Sequence, residues 1–325
     1  MPATFATWQS HFGFALETTY GTTQATPTIW IPVTSFDEYD DDMGLVFDEA
    51  IRASATKLQN VYQGMQQGKY SNTFNYYPNE CARFWAQILA ADTIGSSSNG
   101  QWQHTIKTST GKPFSATLFD FFGTTGPERQ FVGAVMDSLN FKFSRASGIA
   151  TIKPHWLSAA ASTGISETSA SFGSVVPLRG WQPVFAIDAS TKVTLLDFDL
   201  TVTRETELMF AGNNSQRPSD HETGQVDVTG KLSLYASTDG PYEDYRANTS
   251  RSVEVLFNPA ATAGAGSTYS VLDILLTNAV FTKVTPDRSG PYVKWDVDFR
   301  GKYNATDGGP IQVLTTTTTS SQLST

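Results

Sequence analysis

The sequence predicts a mainly β protein: a tandem duplication of a β-sandwich or barrel domain, each half carrying one short flanking helix. Three observations predict it. Apolar and polar residues alternate over several stretches, helical stripes are few, and a set of landmarks recurs in the same order about 160 residues later. The 325 residues suffice for two ordinary domains. Hydrophobic residues at 39% and aromatic residues at 12% can fill their cores.

Residues 137–144 put Leu139, Phe141 and Phe143 on one face and Asn140, Lys142 and Ser144 on the other. Residues 193–203 set Leu196, Phe198, Leu200 and Val202 against Asp197, Asp199, Thr201 and Thr203. Residues 293–300 set Val293, Trp295, Val297 and Phe299 against Lys294, Asp296, Asp298 and Arg300. A period of two marks a half-buried strand, and sheets with one wet face are usually antiparallel.

Helix signals are two. Pro78-Asn79-Glu80 opens a segment with Phe84, Trp85, Ile88 and Leu89 on one stripe, fading at Asp92 to Gly95. A shorter one starts at Thr238-Asp239-Gly240-Pro241 and runs to about Asn248, with Tyr242 and Tyr245 as its apolar pair. Stretches 95–100, 158–174 and 259–268 read as loops, the second as the linker. From Leu314 the sequence is a Thr- and Ser-rich tail that cannot fill a core by itself, although Thr suits a strand added to a neighbour. The expected division is 1–165, 166–313 and a polar tail 314–325.

The repeat rests on five landmarks. Gly68-Lys69 and Pro78 recur as Gly230-Lys231 and Pro241. Leu118-Phe119-Asp120 recurs as Leu272-Asp273, Pro127-Glu128-Arg129 as Pro286-Asp287-Arg288, and Leu139 to Lys142 as Val297 to Arg300.

The chemistry-bearing residues point away from catalysis. Cys81 is the only cysteine, which excludes an internal disulfide and a multi-cysteine metal site. His11, His104, His155 and His221 have no partner at metal-ligand spacing. No nucleophile elbow, P-loop or dinucleotide fingerprint occurs. The acidic run Asp37 to Asp42 misses the EF-hand register and reads as a charged strand edge or turn. No cofactor is expected. A net charge of −9 opposes a general grip on nucleic acid. No apolar stretch is long enough for a membrane helix, and the N-terminus lacks a signal-peptide pattern.

Gly13 to Thr22 reads G-F-A-L-E-T-T-Y-G-T, followed by Trp30-Ile31-Pro32-Val33. This opening resembles the start of tail tube proteins of long-tailed, siphovirus-type bacteriophages. The stretch from His104-Thr105 through Ser115, Arg129, Phe131 and Gly148, and the closing strand Val293 to Phe299, are similar to that family too. The resemblance implies a structural, non-enzymatic β protein that assembles into stacked rings around a hollow conduit for DNA ejection. Six such domains usually make a ring, so a chain with two would close it as a trimer. The implied partners are other copies of the chain, the tape measure protein, passing double-stranded DNA, and the terminator and tip proteins of the tail. The implied place is the virion tail, assembled in the bacterial host cytoplasm. The alternative is a carbohydrate-binding or other β-sandwich protein of a fibre or baseplate; an outer-membrane barrel ranks below both.

Within that reading, the polar strand faces line the channel: Asp197, Asp199, Thr201, Thr203, Asp296 and Asp298. They are expected to be net negative, with the Asp/Thr strand free of Lys and Arg. Two segments at equivalent places, 46–64 and 207–224, are too long for turns and are expected to act as arms between subunits. Their candidate contact residues are Asp48, Arg52, Lys57 and Tyr62 in the first and Asn213, Arg217 and His221 in the second.

Overall fold

A computed structural model describes residues 7–50, 52, 56–98, 100–123, 128–146, 148–165, 169–172, 176–191, 194–257 and 272–323. The expected loop 259–268, and parts of the 158–174 linker, lie outside the described residues.

The first half runs β1 (His11–Leu16), β2 (Ile29–Ile31), β3 (Val33–Asp42), β4 (Val46–Asp48), β5 (Asn60–Tyr62), β6 (Gln67–Asn75), α1 (Pro78–Leu89), β7 (Ala90–Ser98), β8 (Gln101–Thr108), β9 (Ala116–Phe121), β10 (Glu128–Ser144) and β11 (Thr151–Ser158). The second runs β12 (Pro183–Ile187), β13 (Ser190–Thr191), β14 (Leu195–Met209), β15 (Asp220–Tyr235), α2 (Gly240–Ala247), β16 (Ser250–Phe257), β17 (Leu272–Asp287), β18 (Lys294–Gly301) and β19 (Gln312–Thr317). Every pairing among these strands is antiparallel. The protein is mainly β, as the period-two stretches predict.

Both halves follow one strand order. In the first, β2–β1–β9–β10 forms one sheet and β3–β6–β11–β10 the other. In the second, β13–β12–β16–β17 answers the first sheet and β14–β15–β18–β17 the second. The long strands β10 and β17 pass from one sheet to the other, each through a register shift, at Phe131/Ala134 in β10 and at Leu276/Ala279 in β17, opposite Val253/Arg251 of β16. Such shifts bend a strand and let it serve two sheets.

The sequence landmarks follow this order only as far as the helices. Gly68-Lys69 in β6 and Gly230-Lys231 in β15 hold matching places, and α1 and α2 follow them. After that the landmarks slip by one strand: β9 holds the place of β16, β10 of β17 and β11 of β18. Alternating strands resemble one another, so a one-strand slip preserves the pattern. Among the described residues the β7–β8 hairpin has no counterpart in the second half.

Gly230 is required by a close approach. A Cβ there would stand 2.2 Å from the Phe299 ring and 2.8 Å from the Asp199 carbonyl oxygen.

The two helices differ in what they bury. Pro78 opens α1, and Phe84, Trp85, Ile88 and Leu89 of its stripe are fully buried. α2 buries no residue. It leans on the sheet through Tyr242, whose ring lies parallel to Trp295 at 6.1 Å.

One hydrophobic cluster spans both halves. Phe143 stacks on Phe198 at 5.5 Å, and Phe198 on Phe299 at 5.9 Å. β14 keeps the expected alternation with one change. A bulge at Leu195/Asp197 turns Leu195, rather than Leu196, into the core.

The expected polar tail is built into the fold. Leu314 to Thr317 lie in β19, which pairs with β17 of the second half and β8 of the first. Thr315, Thr316 and Thr317 are buried, as is Leu323. The tail does not fill a core alone; it closes one between two existing strands. Beyond it, the Leu323 N–H donates to Asp92 Oδ2 at 2.7 Å, and His104 Nδ1 sits 3.0 Å from the same carboxylate.

Candidate channel face and assembly arms

The two halves meet where β10 pairs with β14, from Ser138 opposite Thr203 to Ser144 opposite Asp197. This seam fuses the second sheets of both halves into one of eight strands, β3–β6–β11–β10–β14–β15–β18–β17. Its polar face carries the predicted channel residues. Asp197, Asp199, Asp296 and Asp298 come together there, lining a trough of about 850 Å³. Thr201 lines a neighbouring hollow with Asp199 and Asp298, and Thr203 is exposed on the same strand.

The carboxylates of this face stand among bases from neighbouring strands, which leaves it only slightly acidic. Lys142, Lys231 and Lys283 line the same trough. In register they alternate with the carboxylates: Lys142 opposite Asp199, Asp199 opposite Lys231, Lys231 opposite Asp298, and Asp298 opposite Lys283. The adjacent row is acidic and polar, with Ser144, Asp197, Ser233, Asp296 and Thr285 in sequence across the strands. Reading each strand alone misses this, because the lysines come from neighbouring strands. Strands that carry acid beside strands that carry base pair favourably across a sheet.

The arms are unlike each other. The first contains the two-stranded β4–β5 ribbon. Phe47 is 56% exposed and Tyr62 55%, with Leu45, Val46, Leu58, Val61 and Met65 also exposed. Asp48 pairs with Arg52, and Lys57 Nζ with Glu49 at 2.9 Å. The second arm is the end of a long hairpin, since β14 continues to Met209 and β15 starts at Asp220. Asn213 is exposed at its tip, where it accepts the Ser215 N–H, and Arg217 donates to Ser162 Oγ at 2.9 Å. His221 is not a free arm residue. It is buried, 5.1 Å from the Tyr20 ring, and burial pushes its pKa down. The base of the first arm touches the tip loop of the second: the Gln66 N–H donates to the Gln216 carbonyl oxygen at 2.7 Å, and Gln216 Nε2 to that of Gln63 at 2.8 Å.

Two further residues organise these surfaces. Arg204 is buried and donates to the carbonyl oxygens of Ile88, Ser109 and Gly111. It reaches from β14 to the C-terminal turn of α1, where a cation meets free carbonyls and the negative end of the helix dipole. Its signal was in the sequence: Arg204 falls on the inward face after Leu200 and Val202. Glu17, from the G-F-A-L-E-T-T-Y-G-T opening, is buried and accepts from Ser115 Oγ, Thr117 Oγ1 and the N–H groups of Gly21 and Gly133 at 2.6–2.9 Å. Its carboxylate fastens that opening to β9 and β10.

Among the described residues no group of three or more His, Cys, Asp or Glu can hold a metal ion, and no helix is long and apolar enough to cross a membrane. No curated protein matches the chain. The family described as phage tail tube protein matches residues 7–312, nearly the whole length. The chain therefore belongs to the phage tail tube protein family, a structural component of the virion tail.

Proposed function

We propose that three copies of this chain close into a ring of pseudo-sixfold symmetry, and that rings stack into the hollow conduit of a long, non-contractile tail. Each chain then supplies two tail-tube domains derived by duplication. The carrying observation is the seam. β10 of the first half pairs with β14 of the second, and their counterparts, β17 and β3, each keep an open side. Among the described residues β3 pairs only with β6. Among the described residues, 283–287 of β17 pair only with β18, because along β17 the pairing with β16 ends at Val280 and that with β19 at Leu275. Pairing β17 of one copy with β3 of the next repeats the internal seam and removes both open edges. Three such steps complete six similar domains.

In that ring the polar face of the eight-stranded sheet lines the channel and meets the tape measure protein and then DNA. The β4–β5 ribbon and the β14–β15 tip contact the adjoining ring or subunit. Assembly takes place in the host cytoplasm, and the tail terminator and tip proteins cap the two ends. Counting chains per ring by native mass spectrometry, together with micrographs of concentrated protein, tests this. Three chains per ring support it; six reject the trimer while leaving a tube.

A further inference from the structure

A pocket of about 280 Å³ lies beside the open edge of β3, lined by Ser10, Phe36, Asp37, Glu38, Tyr39, Tyr70, Asn72, Asp120 and Phe122. Asp120 is its unusual member. The residue is 3% exposed, and its Oδ1 has no hydrogen-bond partner. Burial pushes its carboxyl up to about 7, with Tyr70 and Arg129 acting in the opposite direction. Arg129 stands opposite Asp120 in the β9–β10 register but forms no ion pair with it within 4 Å. Tyr70 bonds one side of the carboxyl, but Oδ1 is left unpaired, and an unpaired buried carboxylate oxygen is costly unless a donor or cation joins it.

The internal seam shows what sits at the equivalent corner of the second half. Arg145, the first residue after β10, donates its N–H to Leu196 of β14 at 2.9 Å and reaches Pro183, the first residue of β12, at 3.5 Å. The counterparts of β14 and β12 are β3 and β1, and they border the Asp120 pocket through Phe36 to Tyr39 and Ser10. The counterpart of β10 is β17, and the first residue after β17 is Arg288. Arg288 is exposed and makes no hydrogen bond or ion pair in the isolated chain.

We propose that Arg288 of the partner subunit enters the pocket at the β3 edge and pairs with Asp120. The partner is a second copy of this chain, and the contact rests on the ring reading above. Asp37 and Glu38 of β3 line the same pocket beside Asp120, so the entry is acidic, with Lys153 and His155 meeting them only from one side. Phe36, Tyr39, Tyr70 and Phe122 supply flat apolar walls suited to a planar guanidinium.

Sedimentation velocity of full-length protein across a concentration series tests the contact, using wild type, Arg288→Gln, Asp120→Asn and the double variant. Arg288→Gln should raise the half-assembly concentration about tenfold or more, a loss expected for one buried ion pair, with an unchanged melting temperature. Asp120→Asn should do the same, and the double variant should be no worse than either. A Ser10→Cys, Ser289→Cys variant should also form a covalent ladder ending at three chains under oxidation; this arm holds even if Asp120→Asn folds poorly. Wild-type assembly from Arg288→Gln, or additive losses in the double variant, overturns the contact alone. A wild-type chain that forms no ring at any concentration overturns the contact and the ring together.

Discussion

Lys142 and Asp199 stand directly opposite each other across the seam at which the two halves join. On its other side Asp199 faces Lys231, so one carboxylate stands in register between two lysines on adjacent strands, while its Oδ1 accepts from Asn140 Nδ2 at 2.6 Å. Asp199→Lys puts like charges opposite both. Cross-strand pairs contribute about 0.2–1 kcal/mol each, so the isolated chain should lose about 1 kcal/mol in urea unfolding. Asp199→Asn should lose less, because it removes attraction without adding repulsion. Equal losses from both would mean that the charge pattern does not stabilise the seam.

The apolar side of the seam carries much larger energies. Phe198 is 1% exposed and touches the rings of Phe143, Phe185 and Phe299. Phe198→Ala should cost about 3–5 kcal/mol, by lost transfer energy and the cavity left behind. Because one cluster crosses the seam, both halves should unfold in a single calorimetric transition. Two separate transitions would show that the halves fold independently.

How much of this was legible depends on the range of the interaction. Period-two alternation marked β10, β14 and β18, and Pro78 with its apolar stripe marked α1, because these signals are local. The alternating charge of the trough is a property of register, and one strand read alone contains none of it. The slip in the later landmarks has the same origin. Leu139 to Lys142 and Val297 to Arg300 alternate alike, although one lies in β10 and the other in the counterpart of β11. The tail's threonines suit a strand, but the partner that buries them is β8, some 200 residues earlier, so its place in the fold is not local information. The inward position of Arg204 is legible, but its role has meaning only when the α1 carbonyls it reaches are known.

That tail makes its own test possible. His104 Nε2 lies 3.1 Å from the Thr319 carbonyl oxygen, and Asp92 Oδ2 accepts the Leu323 N–H. Removing residues 318–325 exposes this buried pair and the site of Leu323. The expected loss is about 2–4 kcal/mol, from one buried leucine and unmet polar partners. Thermal unfolding of the truncated chain measures it; an unchanged melting temperature would mean that the segment is only laid on the surface.

Asp120 gives the isolated chain a pH dependence. Its folded pKa is raised to about 7, above the ordinary carboxylate value, so the folded state holds the proton more tightly than the unfolded state. The contribution to stability is therefore greatest below about pH 4 and is lost as pH rises toward about 7. Burial sets this shift against Tyr70 from β6 and Arg129 from β10, and Asp37, Glu38 and Tyr39 of β3 line the same pocket. Asp120→Asn should flatten this fall in urea titrations between pH 4 and 7. His155 acts in the same direction at higher pH. Its hydrogen bond to Asp137, with Glu38 beside it, raises its pKa, so its contribution disappears as pH rises through that raised value.

If the β4–β5 ribbon is an assembly contact as proposed, variants in it should separate folding from assembly. Phe47 and Tyr62 are more than half exposed and contribute little to the isolated chain. Phe47→Asp and Tyr62→Asp should shift stability by no more than about 0.5 kcal/mol. Both should abolish tubes while leaving soluble chain, since a contiguous apolar surface on a short ribbon gains burial only against another copy. Variants that still polymerise would move the contact elsewhere, and variants that unfold would place the ribbon in the fold.

In the proposed ring, the charge of the trough would set how the channel treats DNA. Four carboxylates and three lysines share it, so the face is close to neutral and only locally acidic. A charge acts over about 8 Å at physiological salt, so passing phosphates respond to the nearest row and not to the chain's overall charge. In the row of Asp197 and Asp296, no lysine stands between the two carboxylates, and Ser233 donates to Asp296 at 2.9 Å. This row is the one able to repel phosphate. Asp197→Lys with Asp296→Lys turns an excess of one carboxylate into an excess of three lysines. Tubes should still form, because both positions lie on the wet face and not in the core. DNA release should slow, and raised salt should restore it by screening. Release at the wild-type rate would remove the electrostatic role. A Ser233→Cys variant distinguishes the walls directly: in intact tubes a bulky thiol-reactive gold particle should fail to label it. Labelling along the whole tube would put this face on the outside.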